Sequence, residues 1–255
     1  MMMTNEAVLL HVDGKVATLT MNRPDARNAM SVEILDAMHD AVDGLEKSDS
    51  NVLVITGAGR AFCAGMDLKA VLIELSGDAG MGERLLTRLA ELTLKIRNLP
   101  QVTVASVNGA AIGGGCGLTC VCDVTISHAG AKLGFPEVDL GICPAVIAPW
   151  VVKKLGAGVA RKAMLMGGIM SGEQAHEIGL VDQLAPSREE LESLTDVVAD
   201  RLATGGPKAL SATKNLLNEL DGSFDETLVL KGAKLSASVL ATPEAQAALA
   251  ARMKR

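Results

Sequence analysis

The stretch from Ala105 to Gly141, ASVNGAAIGGGCGLTCVCDVTISHAGAKLGFPEVDLG, concentrates the residues able to do chemistry. Gly113, Gly114 and Gly115 stand directly before a helix-compatible segment, Cys116–Val121. Three glycines in a row cost backbone entropy and pack nothing, so they mark either a tight structural turn or close approach of backbone to a ligand. A helix opened there has N–H groups without intrahelical partners and its dipole behind them, which suits a phosphate or an oxyanion. Further on, Glu137 lies between Pro136 and Val138 beside an apolar run. A carboxyl in such a setting is partly desolvated, which raises its pKa toward the range useful for moving protons. Cys116, Cys120 and Cys122, with His128 nearby, invite a metal reading. C-x3-C-x-C is not a usual structural zinc spacing, so buried small thiols are the better reading and no metal site is expected.

The elements that position these groups follow from periodicity. Val8–Val12 and Val16–Met21 alternate around Asp13-Gly14, a hairpin signal. Ser31 is placed to cap a helix carrying Ile34, Leu35, Met38, Val42 and Leu45 at helical spacing. Strands are expected at Asn51–Thr56, Val102–Val107, Asp123–Ser127 and Leu180–Leu184. A helix over Glu83–Asn98 puts Leu85, Leu86, Leu89, Leu92 and Ile96 on one face. Asp67 reads as a helix start and Ser76–Gly82 as a small-residue loop. Capping boxes are expected at Ser171–Gln174 and Ser187–Glu190, and Thr242-Pro243 reads as a cap with a first-turn proline. His39 and His176 fall in helical segments and are expected at the surface. After Pro186 the strand signals stop and helices continue to the end. The pattern is an α/β core over residues 1–186 followed by an all-helical region over 187–255. That tail is too extended to make its own core and should pack on the first region or on a neighbouring subunit.

Composition narrows the function. The 255 residues are 49% hydrophobic and 21% charged, with a net charge of −6. There is no tyrosine, one tryptophan and three phenylalanines, so base-stacking platforms are hard to build, and the acidic balance argues against nucleic acid. No targeting segment or membrane span is visible, and five cysteines suit free thiols, so a cytoplasmic location is expected. Gly57-Ala58-Gly59 follows a strand, but Phe62 occupies the third glycine position of a dinucleotide fingerprint.

Taken together, the triple glycine, Phe135–Gly141 and the upstream segment Phe62-Cys63-Ala64-Gly65-Met66-Asp67-Leu68-Lys69 resemble the enoyl-CoA hydratase/isomerase (crotonase) family. The motifs occur in the family's order, over a span from about Val16 to the end. The resemblance implies a spiral of repeated ββα units with a helical C-terminal region that forms trimers or hexamers. It implies a coenzyme A thioester as substrate and no permanently bound cofactor. Two backbone N–H groups, those of Met66 and Gly114, would form an oxyanion hole, and Glu137 would be the acid/base. Ala64, Asp67, Leu68 and Lys69 would hold the coenzyme A end, with Arg23 and Arg27 near its phosphates and pantetheine.

One position departs from the best-known hydratases, which carry a second glutamate just after the glycines. This chain has Gly117 there. The segment Leu140–Ile147 resembles methylglutaconyl-type hydratases, which include members with glycine at that place. Hydration of an enoyl-CoA is therefore the leading expectation; isomerisation or decarboxylation at the same site, and an acyl-CoA-binding protein without chemistry, are the rivals. Asp139 is a candidate polar helper. A glutamate introduced at position 117 is expected to project across the thioester from Glu137 and to favour hydration.

Overall fold

The computed structural model describes residues 2–45, 48–67 and 81–253. Strands β1 (Met2–Asn5), β2 (Val8–Asp13) and β3 (Val16–Met21) form an antiparallel ribbon, with Gly14 at φ +55° in the β2–β3 turn. Alternation does its work in β3, where Ala17, Leu19 and Met21 are fully buried. Helix α1 (Val32–Leu45) follows, with the Ser31 hydroxyl accepting from the Ile34 N–H at 3.4 Å.

The middle of the chain repeats one plan. A long strand joins the large sheet, a three-residue strand joins a second sheet, and helix follows where the chain is described. The long strands are β4 (Val52–Gly57), β6 (Val102–Val107) and β8 (Val124–His128), each parallel to the next. The short ones are β5 (Ala61–Cys63), β7 (Ala110–Ile112) and β9 (Lys132–Gly134), again parallel in that order. Helices α2 (Met81–Asn98), α3 (Gly114–Val121) and α4 (Ala148–Met166) belong to successive repeats. Strand β10 (Ile169–Ser171) closes the small sheet as β10-β9-β7-β5, and β11 (Gln183–Ala185) closes the large one as β1-β2-β3-β4-β6-β8-β11. This is the ββα spiral that the resemblance implies. The three-residue strands of the small sheet escaped the sequence reading because so few residues cannot display an alternation, and β11 takes only the end of the strand expected at Leu180–Leu184.

Both faces of the large sheet are covered. Leu53 and Ile55 of β4 enter the main core with the buried face of α2, while Val52 and Val54 turn to a smaller core against Leu191 and Ala199 of α6 (Leu191–Ala203). Between the last strands lies α5 (Gly172–Glu177), opened by the capping box expected at Ser171 and Gln174. The second expected box does not form. Ser187 gives its hydroxyl to the Glu190 carboxylate at 3.0 Å, and α6 starts only at Leu191.

The C-terminal helices are tied to this frame. Helix α7 (Pro207–Leu220) sends Lys214 into the interior, where Nζ donates to the Gln101 carbonyl and pairs with Asp123 Oδ2, both at 2.8 Å. Helix α8 (Glu226–Leu240) lies along α2 and buries Val229, Ala233 and Leu240. Helix α9 (Pro243–Met253) begins as expected, with the Thr242 hydroxyl accepting from the Ala245 N–H at 3.2 Å. Among the described residues no helix is long and apolar enough to cross a membrane.

His39 is a correction: it is buried, 3% exposed, with Nε2 against the Arg88 carbonyl at 3.0 Å. It sits one turn after Leu35 on the apolar face of α1, so the helical spacing places it inside.

Candidate active site

A cleft of about 760 Å³, open solvent at its mouth included, lies where the first repeat, the start of α3 and the C-terminal helices converge. Its walls are mostly aliphatic. Met30 and the segment Ala64–Met66 form one side, Leu85, Leu86 and Leu89 of α2 another, and Gly113 and Gly114 line it at the start of α3. The stretch Ile142–Ile147 and Leu240 of α8 complete it. Met66, Gly114, Glu137 and Ala64, separated by up to 73 positions in the chain, therefore meet in one place.

The Met66 side is held by a parallel bridge. Met30 donates to the Gly65 carbonyl at 2.7 Å and accepts from the Asp67 N–H at 2.9 Å. In parallel pairing one residue takes both bonds from the neighbours of its opposite number, so Met30 leaves the Met66 N–H unused. Gly65, at φ +87°, makes the turn, and its missing Cβ would lie 2.7 Å from the Ile112 carbonyl oxygen and 3.8 Å from the Gly114 nitrogen. Any larger residue would push the two segments apart. Gly114 is the first residue of α3, whose opening N–H groups have no partner in the preceding turn.

Glu137 covers Gly113. A Cβ on Gly113, which has φ +56°, would stand 2.7 Å from Glu137 Oε1. Glu137 itself is 9% exposed, and its buried Oε2 has no hydrogen-bond partner among the described residues. Burial pushes its carboxyl from the ordinary 4.5 up to about 7, against a smaller opposing effect of its own backbone N–H. The thiols near it, Cys116 and Cys143, are themselves pushed up by burial and so add no charge at neutral pH.

Gly117 is explained by Ile147. A Cβ on Gly117 would meet Ile147 Cγ2 at 2.3 Å and Cβ at 2.6 Å. The space expected for a second carboxylate is filled by an aliphatic side chain. Asp139, the other candidate helper, also turns away: its Oδ2 accepts from the Gly168 N–H at 2.8 Å.

Arg23, Arg27 and Asp67 lie around the cleft rather than in it. Arg27, exposed and left-handed at φ +52°, accepts at its carbonyl from the Ala64 N–H at 3.0 Å, which pins the arginine loop beside the 63–67 segment. Arg23 gives a guanidinium N–H to the Ser31 hydroxyl at 2.7 Å. Asp67 is half-buried at the edge of the bridge. Leu68, Lys69 and most of the loop and helix start expected nearby lie outside the described residues. The cysteines are free thiols, with Cys63, Cys120 and Cys122 pushed up to about 12 by burial.

Sequence reasoning missed Ser236 of α8. Its hydroxyl donates to the Cys143 carbonyl at 2.7 Å and accepts from the Ala145 N–H at 2.9 Å, clamping the wall that carries Ile147. A lone serine in an amphipathic helix gives no signal of such a role.

The sequence matches the family model described as enoyl-CoA hydratase/isomerase over residues 11–248. This chain belongs to that family. It is 34% identical to a putative enoyl-CoA hydratase of Thermus thermophilus over 212 residues, which is 82% of this chain and 83% of that protein. It is also 34% identical to the short-chain-enoyl-CoA hydratase of Clostridium acetobutylicum, covering 83% of this chain and 80% of the other. The fold is shared with the crystal structure of an enoyl-CoA hydratase from Bacillus halodurans, at a TM-score of 0.89 over 96% of this chain and 99% of that one, with 22% identity. The architecture is thus the crotonase fold, and this enoyl-CoA hydratase/isomerase family member carries Ile147 where a side chain at 117 would otherwise go.

That substitution of one side chain's space by another yields a test. Gly117→Glu should lose about 1–3 kcal/mol of stability in urea unfolding, because the carboxylate must displace Ile147 from a packed wall. A variant as stable as the wild type would show that the wall yields.

Proposed function

We propose that the protein is an enoyl-CoA hydratase working with one carboxylate, Glu137. The single observation that carries this is a buried carboxyl, its Oε2 without a hydrogen-bond partner among the described residues, in an aliphatic cleft with two backbone segments. The thioester carbonyl would lie between the N–H groups of Met66 and Gly114, which stabilise the negative charge that develops on its oxygen. Glu137, as carboxylate, takes a proton from water while the water oxygen bonds to the β-carbon. The electron pair of the carbon–carbon double bond moves into the thioester as an enolate. Glu137, now the acid, returns the proton to the α-carbon, and the carboxylate is regenerated. A pKa of about 7 suits both halves of this cycle near neutral pH.

Ala64 and Asp67, with Leu68 and Lys69 beyond, would hold the coenzyme A end by backbone contacts. Arg23 and Arg27 would stand near the anionic phosphates; the anchoring of their loop to Ala64 supports that placement. The Leu140–Ile147 segment supports placing the protein with the methylglutaconyl-type hydratases, and its free thiols suit the cytoplasm.

A second reading has its own observation. Ile147 leaves no room for a second water-holding group at 117, which favours returning the proton to another carbon, that is, double-bond isomerisation.

We further propose a trimer or hexamer built by the region 187–255. Leu216, Leu217, Leu220, Leu228 and Leu235 of α7 and α8 are exposed, more apolar surface than a monomer commonly leaves. Light scattering at micromolar concentration should give a trimeric or hexameric mass, and deletion after Pro186 should give insoluble protein. A sharp monomer mass would refute the assembly.

For the chemistry, Glu137→Gln should keep the fold and acyl-CoA affinity and lose at least about a hundredfold in crotonyl-CoA turnover. Near-wild-type turnover in this variant would remove Glu137 from the mechanism.

A further inference from the structure

Two residues from outside α3 cover two glycines at the start of that helix. Glu137 stands over Gly113 and Ile147 over Gly117. The Gly117 N–H bonds to the Gly113 carbonyl at 2.8 Å, so the two glycines are one turn apart. The two covered positions are therefore roughly a turn's rise of ~5 Å apart along the chain. Both covering residues line the cleft.

Ile147 is held with unusual completeness. It is 1% exposed and opens α4. On one side Ser236 clamps residues 143 and 145; on the other Trp150, one turn on, donates from Nε1 to the Thr93 hydroxyl of α2 at 3.0 Å. The backbone that carries Ile147 is thus tied on both sides to two other helices.

We propose that Ile147 is a positioning residue for Glu137: seated in the space over Gly117, it keeps water off that flank of the carboxylate and sets the choice between adding water and returning a proton to carbon. The second half of this inference rests on the acyl-CoA chemistry proposed above; the first half does not. Desolvation is the dominant influence on Glu137, and among the described residues the titratable groups whose charge it senses or affects are the thiols of Cys116 and Cys143. With neutral thiols as the neighbours, the apolar wall is what controls the carboxyl.

The test uses the full chain with Ile147→Val and Ile147→Thr, which have nearly the same shape and differ by a methyl against a hydroxyl. Glutamate side chains carrying carbon-13 at the carboxyl are titrated by NMR, with Glu137→Gln identifying the resonance. Glu137 should titrate near 7 in the wild type and in Ile147→Val, and about one unit lower in Ile147→Thr. A threonine variant titrating like the valine variant would overturn the proposal. If Ile147→Thr does not fold, Ile147→Ala carries the same expectation, because the shortened side chain admits water beside Glu137.

The second readout compares crotonyl-CoA hydration with solvent-deuterium exchange at the α-carbon of butyryl-CoA. The hydration-to-exchange ratio should rise about tenfold in Ile147→Thr and stay unchanged in Ile147→Val. An unchanged ratio in Ile147→Thr would overturn the partitioning role. A wild type that neither binds nor transforms any acyl-CoA would sink the proposed chemistry and with it the partitioning role, and the NMR titration would still decide whether Ile147 controls Glu137.

Discussion

Burying a carboxyl without a partner works against folding, because the charged form loses water and gains nothing in exchange. Glu137 comes close to that position: its own backbone N–H offsets only part of the cost, its Oε2 has no hydrogen-bond partner among the described residues, and its surroundings in the cleft are mostly aliphatic. Several features of the fold read as the means of keeping it there. Gly113 supplies the open space under Oε1, and Val138–Leu140 turn the chain directly after the carboxylate. Ile147 closes the adjacent turn of α3, and Leu85, Leu86 and Leu89 of α2 keep another wall dry.

The convergence of distant segments follows from the repeated ββα plan. Each repeat advances one strand along the large sheet and one along the small sheet, so the connections after β5, β7 and β9 stack on the same end of the molecule. That stacking brings Ala64–Met66, Gly113–Gly114 and Pro136–Glu137 together, although no two of them are near in sequence. The C-terminal helix α8 then adds the last wall through Ser236 and Leu240. Its Gly232 permits the approach, since a Cβ there would lie 2.3 Å from the Ala145 carbonyl oxygen.

Much of this was legible in the amino-acid sequence where a periodic pattern or a special residue type marked it. The long strands and the apolar face of α2 announce themselves by spacing, and Glu137 by the contrast with its neighbours. The three-residue strands of the second sheet do not, because they are shorter than any period they could show. Gly117 was the instructive case. A missing side chain says that space is needed, yet the residue needing it, Ile147, lies 30 positions away and looks like any core isoleucine. Asp139 and Arg23 were ambiguous for a related reason: a polar side chain in a loop serves the nearest backbone or hydroxyl group as readily as it serves a ligand, and here they bond Gly168 and Ser31.

The fold holds Glu137 dry, and stability against pH measures this without any substrate. Urea unfolding of the wild type and of Glu137→Gln between pH 4 and pH 8 isolates the one group. A carboxyl raised from 4.5 to about 7 stays protonated in the folded protein while the unfolded chain releases its proton. Stability contributed by this group is therefore full below about pH 4.5 and is lost progressively as pH rises to about 7, by on the order of 3 kcal/mol. Relative to Glu137→Gln, the wild type should weaken by that amount across this window and then run parallel to it. Curves that run parallel throughout would mean that the carboxyl is solvated as in the unfolded chain and that the fold does not keep it dry.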